Sequence, residues 1–257
     1  MKYGHQIALT RPVPGSLADC ELTHQDRTPI DVELARAQHD RYESTLAALG
    51  CDVIRLPVLE EHPDSTFVED TMLVLPEVAI TLRPGAESRR GEVHTAASIV
   101  AEYRTVLSIE APGTIDGGDV LVIDHDMFVG LSSRSNTDGL DQLQNLLGPW
   151  GYTLHGIDIE QCLHLKSAVT VIDDNVILCN PEWIDATVFG ATRVIECDPG
   201  EPHGANVLQA SGHVVAGGFP MTNRRIRQEG FEVMELDLSE LAKAEGAVTC
   251  CSIILRD

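Results

Sequence analysis

Five short apolar segments in this chain are each preceded by a reactive or charged residue. Glu69 and Asp70 stand before Met72–Leu75, and Asp116 and Asp119 before Val120–Ile123. His164 stands before Ala168–Ile172, Asn206 before Val207–Gln209, and Cys250 before Cys251–Leu255. A cysteine beside a histidine supplies a nucleophilic sulfur and a proton carrier together. A carboxylate such as Asp116 can orient the imidazole, in the logic of a catalytic triad. Gly117 and Gly118, which follow it, permit close backbone approach. Glu69 and Asp70 lie between apolar Phe67–Val68 and Met72–Leu75, a poor setting for surface acids. Carboxylates drawn into a pocket need a cation to offset their desolvation, and a planar guanidinium meets two carboxylate oxygens at once. The residues alone therefore describe attack by a thiol on a guanidino or amino compound.

These residues are spread over about 180 positions, so the fold must gather them. The sequence supplies a period. Apolar hairpins with short polar turns recur, each followed by a helical stretch and a third strand. The helices are expected over about 87–102, 137–147, 181–186 and 221–229. The last hairpin strand, near Cys251, has no downstream partner. Its missing pieces lie at the other end of the chain: a strand over Gln6–Thr10, a helix over about 31–49 and a strand over Val53–Leu56. Pairing the two ends would close a ring and remove an open sheet edge. The expectation is one α/β domain over residues 1–257: a five-bladed α/β propeller of pseudo-fivefold ββαβ repeats. The exits of second strands hold Arg11, Arg83 and Arg134, near the axis of such a ring.

Composition narrows the class. At 257 residues with 43% hydrophobic and only 4% aromatic residues, the core must be largely Val, Ile, Leu and Ala. A net charge of −22 opposes binding to nucleic acid phosphates or anionic membranes. There is no apolar run near 18 residues. The opening Met-Lys-Tyr-Gly-His lacks the apolar segment of a secretory signal, so the expectation is a soluble cytoplasmic protein. The seven cysteines form no CxxC pair, which gives no support for a zinc ribbon.

Taken together, Phe67–Asp70, Leu82–Gly85, Asp116–Val120, His164–Ser167 and Thr249–Ser252 resemble the dimethylarginine dimethylaminohydrolases of the guanidine-modifying, or pentein, superfamily. The resemblance runs in order along almost the whole chain and implies the propeller fold. Arginine deiminases and their amidinotransferase relatives typically carry an aspartate two residues after the histidine; this chain has Lys166. Losing that acid removes a demand for unsubstituted N–H donors, which implies a methylated arginine substrate. By resemblance, Cys250 is the nucleophile, His164 the proton carrier and Asp116 its orienting acid. Glu69 and Asp70 would hold the guanidinium. Asp64 and the backbone carbonyl of Leu17 would bind the α-amino group, and Arg83 with Arg134 the α-carboxylate. Residues 12–19 would form a lid. The expected reaction converts asymmetric dimethylarginine or monomethylarginine to citrulline and an amine. No cofactor or metal is expected, and the only expected partner is the small-molecule substrate, with the chain a monomer or homodimer. Two alternatives stand beside this reading: a deiminase or hydrolase of arginine or another guanidino compound, and a non-catalytic amino-acid-binding ring.

Overall fold

A computed structural model describes residues 4–190 and 193–256. Among the described residues, fifteen strands form five separate three-stranded sheets. Each has one design: an antiparallel pair whose second strand also pairs in parallel with a third. Met72–Val74, Val78–Thr81 and Thr105–Ser108 make one such sheet. Val120–Ile123, Asp126–Leu131 and Thr153–Asp158 make the next. Val169–Asp173, Val176–Cys179 and Arg193–Glu196 follow, then Val207–Ala210, His213–Ala216 and Val233–Glu235. The fifth joins the chain ends: Gln6–Thr10 lies antiparallel to Ile253–Arg256, pairing Gln6 with Arg256 and Leu9 with Ile253, and parallel to Asp52–Arg55.

The hairpins turn over two residues. Asp124, Asn175 and Ser211 adopt φ of 55°, 56° and 47°, and Gly212 87°. Two-residue turns with positive φ match the twist of the flanking strands, and Asn, Asp and Gly tolerate that region best. Between the second and third strands the chain crosses over through helix, as parallel pairing requires. Asp31 caps Val32–Ala48 by accepting the Leu34 amide at 3.0 Å. Asn136 caps Thr137–Leu147 by accepting the Gly139 amide at 2.8 Å. Such caps satisfy otherwise orphaned first-turn donors.

Each of five buried apolar clusters spans two sheets. Ile7 and Leu9 pack with Met72 and Ala79, Ile80 with Val129, Phe128 with Ile177, Leu178 with Val214, and Val215 with Ala8. Every sheet thus shares a core with two others, and the sequence of contacts returns to its start. A cavity of about 750 Å³ runs along the first hairpin strands of the sheets. Glu69, Gly117, Lys166 and Thr249 line it at the strand entrances, and Glu77, Asp124, His125 and Asn175 at the hairpin turns.

Three expectations need correction. The helix expected over 181–186 is a short 3-10 turn at Ala186–Phe189, because Asp185, not Pro181, provides the cap, accepting the Thr187 amide at 2.9 Å. The expected 87–102 helix is a 3-10 stretch, Glu87–Glu92, running into an α-helix at Val93–Val100. Finally, the strands expected to begin at Ala168 and Cys251 begin at Val169 and Ile253. Ala168 ends a single helical turn and Cys250–Cys251 lie in a turn.

Candidate active site

The last correction locates the chemistry. Strand entrances in this fold are tight turns rather than extended leads. Val68–Thr71 and Gly117–Asp119 are 3-10 turns and Leu165–Ala168 is one α-helical turn. Asp116 and His164 occupy the same place in their repeats, the extended residue just before the turn, with φ of −96° and −135°. Glu69 and Asp70 lie within theirs. A one-turn helix presents successive side chains in diverging directions, so Glu69 and Asp70 can serve different partners.

His164 Nε2 lies 3.1 Å from Asp116 Oδ2, and both residues are buried. Asp116 Oδ1 also accepts the Gly85 amide at 2.9 Å, so the carboxylate is held at both oxygens. Asp70 completes the cage: polar atoms of Asp70, Asp116 and His164 all lie within 4.8 Å of one another. This grouping has the composition of a small metal site, yet Asp70 and Asp116 are already committed to donors of the chain. The two glycines act as the sequence suggests. A Cβ on Gly117 would fall 2.0 Å from the Glu69 carbonyl oxygen, and one on Gly118 2.6 Å from His164 Nδ1. Neither turn could close on the other with a larger residue.

Burial alone would lower the His164 pKa, but Asp70, Asp119 and Asp116 outweigh it and raise it to about 9. Burial pushes Asp70 upward, whereas the His164 charge and Arg89 bring it to about 2. An imidazolium facing carboxylates is thus the resting state near neutral pH.

Arg89 escaped the sequence reading. It is buried. Nη1 meets Asp70 Oδ2 at 2.5 Å, Nη2 meets Glu92 Oε2 at 2.9 Å and the Phe67 carbonyl at 2.8 Å, and a longer bond reaches the Asp64 carbonyl. Glu69 is matched as well: Lys166 Nζ lies 2.6 Å from its Oε1, and Thr249 Oγ1 donates to Oε2 at 2.7 Å. Each acid therefore has a cation from the chain itself, so their burial does not by itself require a cationic substrate. Asn206 ties this corner together. Its Nδ2 donates to the Lys166 carbonyl and to Thr249 Oγ1, and its Oδ1 accepts the Thr249 amide.

Cys250 follows Thr249 and is half-buried. Its carbonyl accepts the Glu69 amide at 3.2 Å. Burial, then Glu69 and Asp70, pushes the thiol up to about 12, against opposing hydrogen bonds from Ala247 and Thr249. The Glu69–Asp70 turn is thus the shared neighbour of the sulfur-bearing and imidazole-bearing segments. Cys251 is fully buried in the apolar core with Leu17 and Phe67 and sits in a turn, not on a strand.

The remaining expected residues divide. Asp64 is buried, its pKa raised by burial, and it accepts the Glu21 amide at 3.1 Å. Arg134 is buried, near enough to oppose that rise, and its Nη2 donates to Thr23 Oγ1 at 3.0 Å. Arg83 donates from Nη1 to the Gly113 carbonyl at 3.2 Å. Leu17 is fully buried, and its carbonyl already accepts the Cys20 amide at 3.1 Å, closing the Leu17–Asp19 turn. Arg11 is a structural cation, bonded to the Ser65 and Glu92 carbonyls and to Thr95 Oγ1.

Comparison with known proteins identifies the family. A family model described as N,N dimethylarginine dimethylhydrolase, eukaryotic, matches residues 21–194. The chain is 34% identical over 254 residues to the N(G),N(G)-dimethylarginine dimethylaminohydrolase of Pseudomonas aeruginosa, covering 98% of this chain and 99% of that one. It is 35% identical to the same enzyme of Streptomyces coelicolor, covering 97% of each. The Pseudomonas enzyme, solved as a cysteine-to-serine variant complexed with citrulline, superposes with a TM-score of 0.92 over 99% of both chains. The fold alone is also shared with the N-terminal domain of ArgZ, a cyanobacterial arginine dihydrolase, at a TM-score of 0.86 and 19% identity over 98% and 97% of the two chains. The chain belongs to the dimethylarginine dimethylaminohydrolase family.

Proposed function

We propose that this chain is a five-bladed propeller forming one catalytic domain, and that it hydrolyses N-omega-methylated arginines to citrulline and dimethylamine or methylamine. The observation that carries the reading is the buried imidazole of His164, hydrogen-bonded to Asp116 and close to Asp70, beside the turn whose Glu69 amide binds the Cys250 carbonyl.

The resting thiol is protonated, and the charge of an entering guanidinium, added to those of Arg89 and Lys166 on the neighbouring acids, lets the thiol release its proton to solvent. The thiolate then attacks the guanidinium carbon. His164 gives its proton to the departing amine as the C–N bond breaks, leaving an S-alkylthiouronium on Cys250. The now neutral imidazole takes a proton from water, the hydroxide adds to the same carbon, and the thiolate leaves as citrulline forms. Asp116 keeps the ring oriented through both proton transfers. Asp64 and Leu17 are assigned to the α-amino group, with Asp64 the stronger because the Leu17 carbonyl is engaged. Arg83 and Arg134 are assigned to the α-carboxylate. Lys166 neutralises Glu69, and with no acid at that position the pocket makes no demand for unsubstituted N–H groups. No metal or organic cofactor takes part in this scheme. All seven cysteines are free, which suits a reducing cytoplasm, and no helix among the described residues is long and apolar enough to cross a membrane.

The test is a product assay with asymmetric dimethylarginine, monomethylarginine and arginine in parallel. Citrulline should appear with the matching methylated amine from the first two. Ammonia from arginine at comparable kcat/KM would contradict the methylarginine assignment.

A further inference from the structure

Asp119 is fully buried, and the mechanism above does not use it. Its Oδ1 accepts the backbone amide of Leu165, the residue after His164, at 3.0 Å. Its Oδ2 accepts the hydroxyls of Ser132 at 2.8 Å and Ser135 at 2.7 Å. Ser135 Oγ in turn accepts the backbone amide of Asp116 at 3.0 Å. One carboxylate therefore grips the turn that carries the imidazole and, through one hydroxyl, the residue that orients it. The neighbouring strand is shaped to admit it: a Cβ at Gly130 would lie 2.7 Å from Asp119 Oδ1. Burying a carboxylate among hydroxyls and amides is costly for a purely structural peg.

We infer that Asp119 is a positioning residue for the hydrolysis, fixing the register of His164 against Asp116 through Leu165 and Ser135. The inference rests on the hydrolytic reading of the same site. Electrostatics support it. The groups facing the imidazole are Asp70, Asp119 and Asp116, and all three favour its charged form. Asp119 itself is raised to about 6, chiefly by burial, against His164, Ser135 and Ser132, so it is mostly ionised at neutral pH. The thiol of Cys162, which also faces Asp119, is pushed up to about 12 by burial and by that carboxylate; it stays protonated and leaves the charge balance unchanged.

The test compares Asp119→Asn and Ser135→Ala with the parent, using kcat and KM on asymmetric dimethylarginine and an NMR titration of the His164 imidazole in 15N-histidine-labelled protein. Asp119→Asn should lower kcat roughly 10- to 100-fold with KM little changed. It should also lower the His164 midpoint by about one unit or more and carry the alkaline limb of kcat with it. Ser135→Ala, which cuts only the Asp116 arm, should lower kcat about 2- to 10-fold and move the midpoint less. An unchanged kcat and midpoint in Asp119→Asn would overturn the inference, and so would a lost kcat with an unmoved midpoint, the mark of a packing role. If Asp119→Asn does not fold, Ser135→Ala decides, and parental kcat in that variant counts against the inference. Should the parent itself release no citrulline, the functional reading fails and the inference falls with it, whereas a parent that turns over with Asp119→Asn unchanged defeats the positioning role alone.

Discussion

Two histidine–aspartate pairs in this molecule have the same separation and opposite character. His125 Nδ1 lies 3.1 Å from Asp124 at a hairpin turn, with side chains 59% and 87% exposed. His164 Nε2 lies 3.1 Å from Asp116 at a strand entrance, with side chains 8% and 0% exposed. The first pair is bathed in solvent, where such contacts contribute about 0–1 kcal/mol. The second is surrounded by two further carboxylates in a poorly hydrated setting, and its histidine is raised to about 9. Residue type and distance do not by themselves decide the character of a pair. The difference lies in where the repeat puts them: His125 sits at an exposed hairpin turn, whereas His164 sits at a buried strand entrance together with Asp70 and Asp116.

That contrast can be attacked experimentally. The largest effect belongs to the entrances. Cys250→Ser should abolish turnover while retaining substrate binding, and His164→Gly should lower kcat by about 10²- to 10⁴-fold; steady-state rates near those of the parent in either would remove that residue from the chemistry. A second comparison sets Arg89 against Arg90. Arg89→Ala leaves Asp70 and Glu92 buried without their cation, a loss of about 3–5 kcal/mol. Arg90→Ala breaks a pair with the exposed Glu87 and a bond to the Pro84 carbonyl and should change stability by about 1 kcal/mol. Urea unfolding midpoints separate the two, and equal losses would show that the buried cation is dispensable.

A subtler effect is pH dependence. The folded-state pKa of His164 is raised from 6.5 to about 9, so its contribution to stability is complete below pH 6.5 and is lost as pH rises through about 9. The stability of the parent relative to His164→Gly should therefore fall by about 3 kcal/mol across that window. A flat difference would mean the imidazole is not held in its charged form. The smallest expected effect is a control: His125→Gly should leave kcat within about twofold, because a solvent-exposed pair contributes little.

Much of the architecture was readable from pattern. The strands Gln6–Thr10 and Val120–Ile123, the helix Thr137–Leu147 and the pairing of the chain ends all follow from apolar hairpins interrupted by polar turns. The clustering of Asp70, Asp116 and His164 was legible for the same reason, since equivalent positions in a repeat become neighbours. The charges that neutralise the acids were less visible. Glu87-Ser-Arg-Arg-Gly-Glu92 reads as the polar start of a surface helix, and only the three-dimensional packing buries Arg89 fully and leaves Arg90 half-buried beside an exposed Glu87. The Glu92 partner three residues on was the one local signal. The depth of Asp119 was likewise hidden, because its partners are hydroxyls and one amide from other segments. Helical turns at the entrances were missed because their lengths, three or four residues, fall below any periodicity a sequence can display.

The central claim is that the half-buried Cys250, and none of the other six thiols, meets the guanidinium carbon. Peptide mapping by mass spectrometry after incubation with a chloroacetamidine-type guanidine mimic reads this directly. The account predicts a single adduct on Cys250, formed in step with loss of activity. Inactivation with the label on Cys20, Cys251 or another cysteine, and Cys250 untouched, would contradict it.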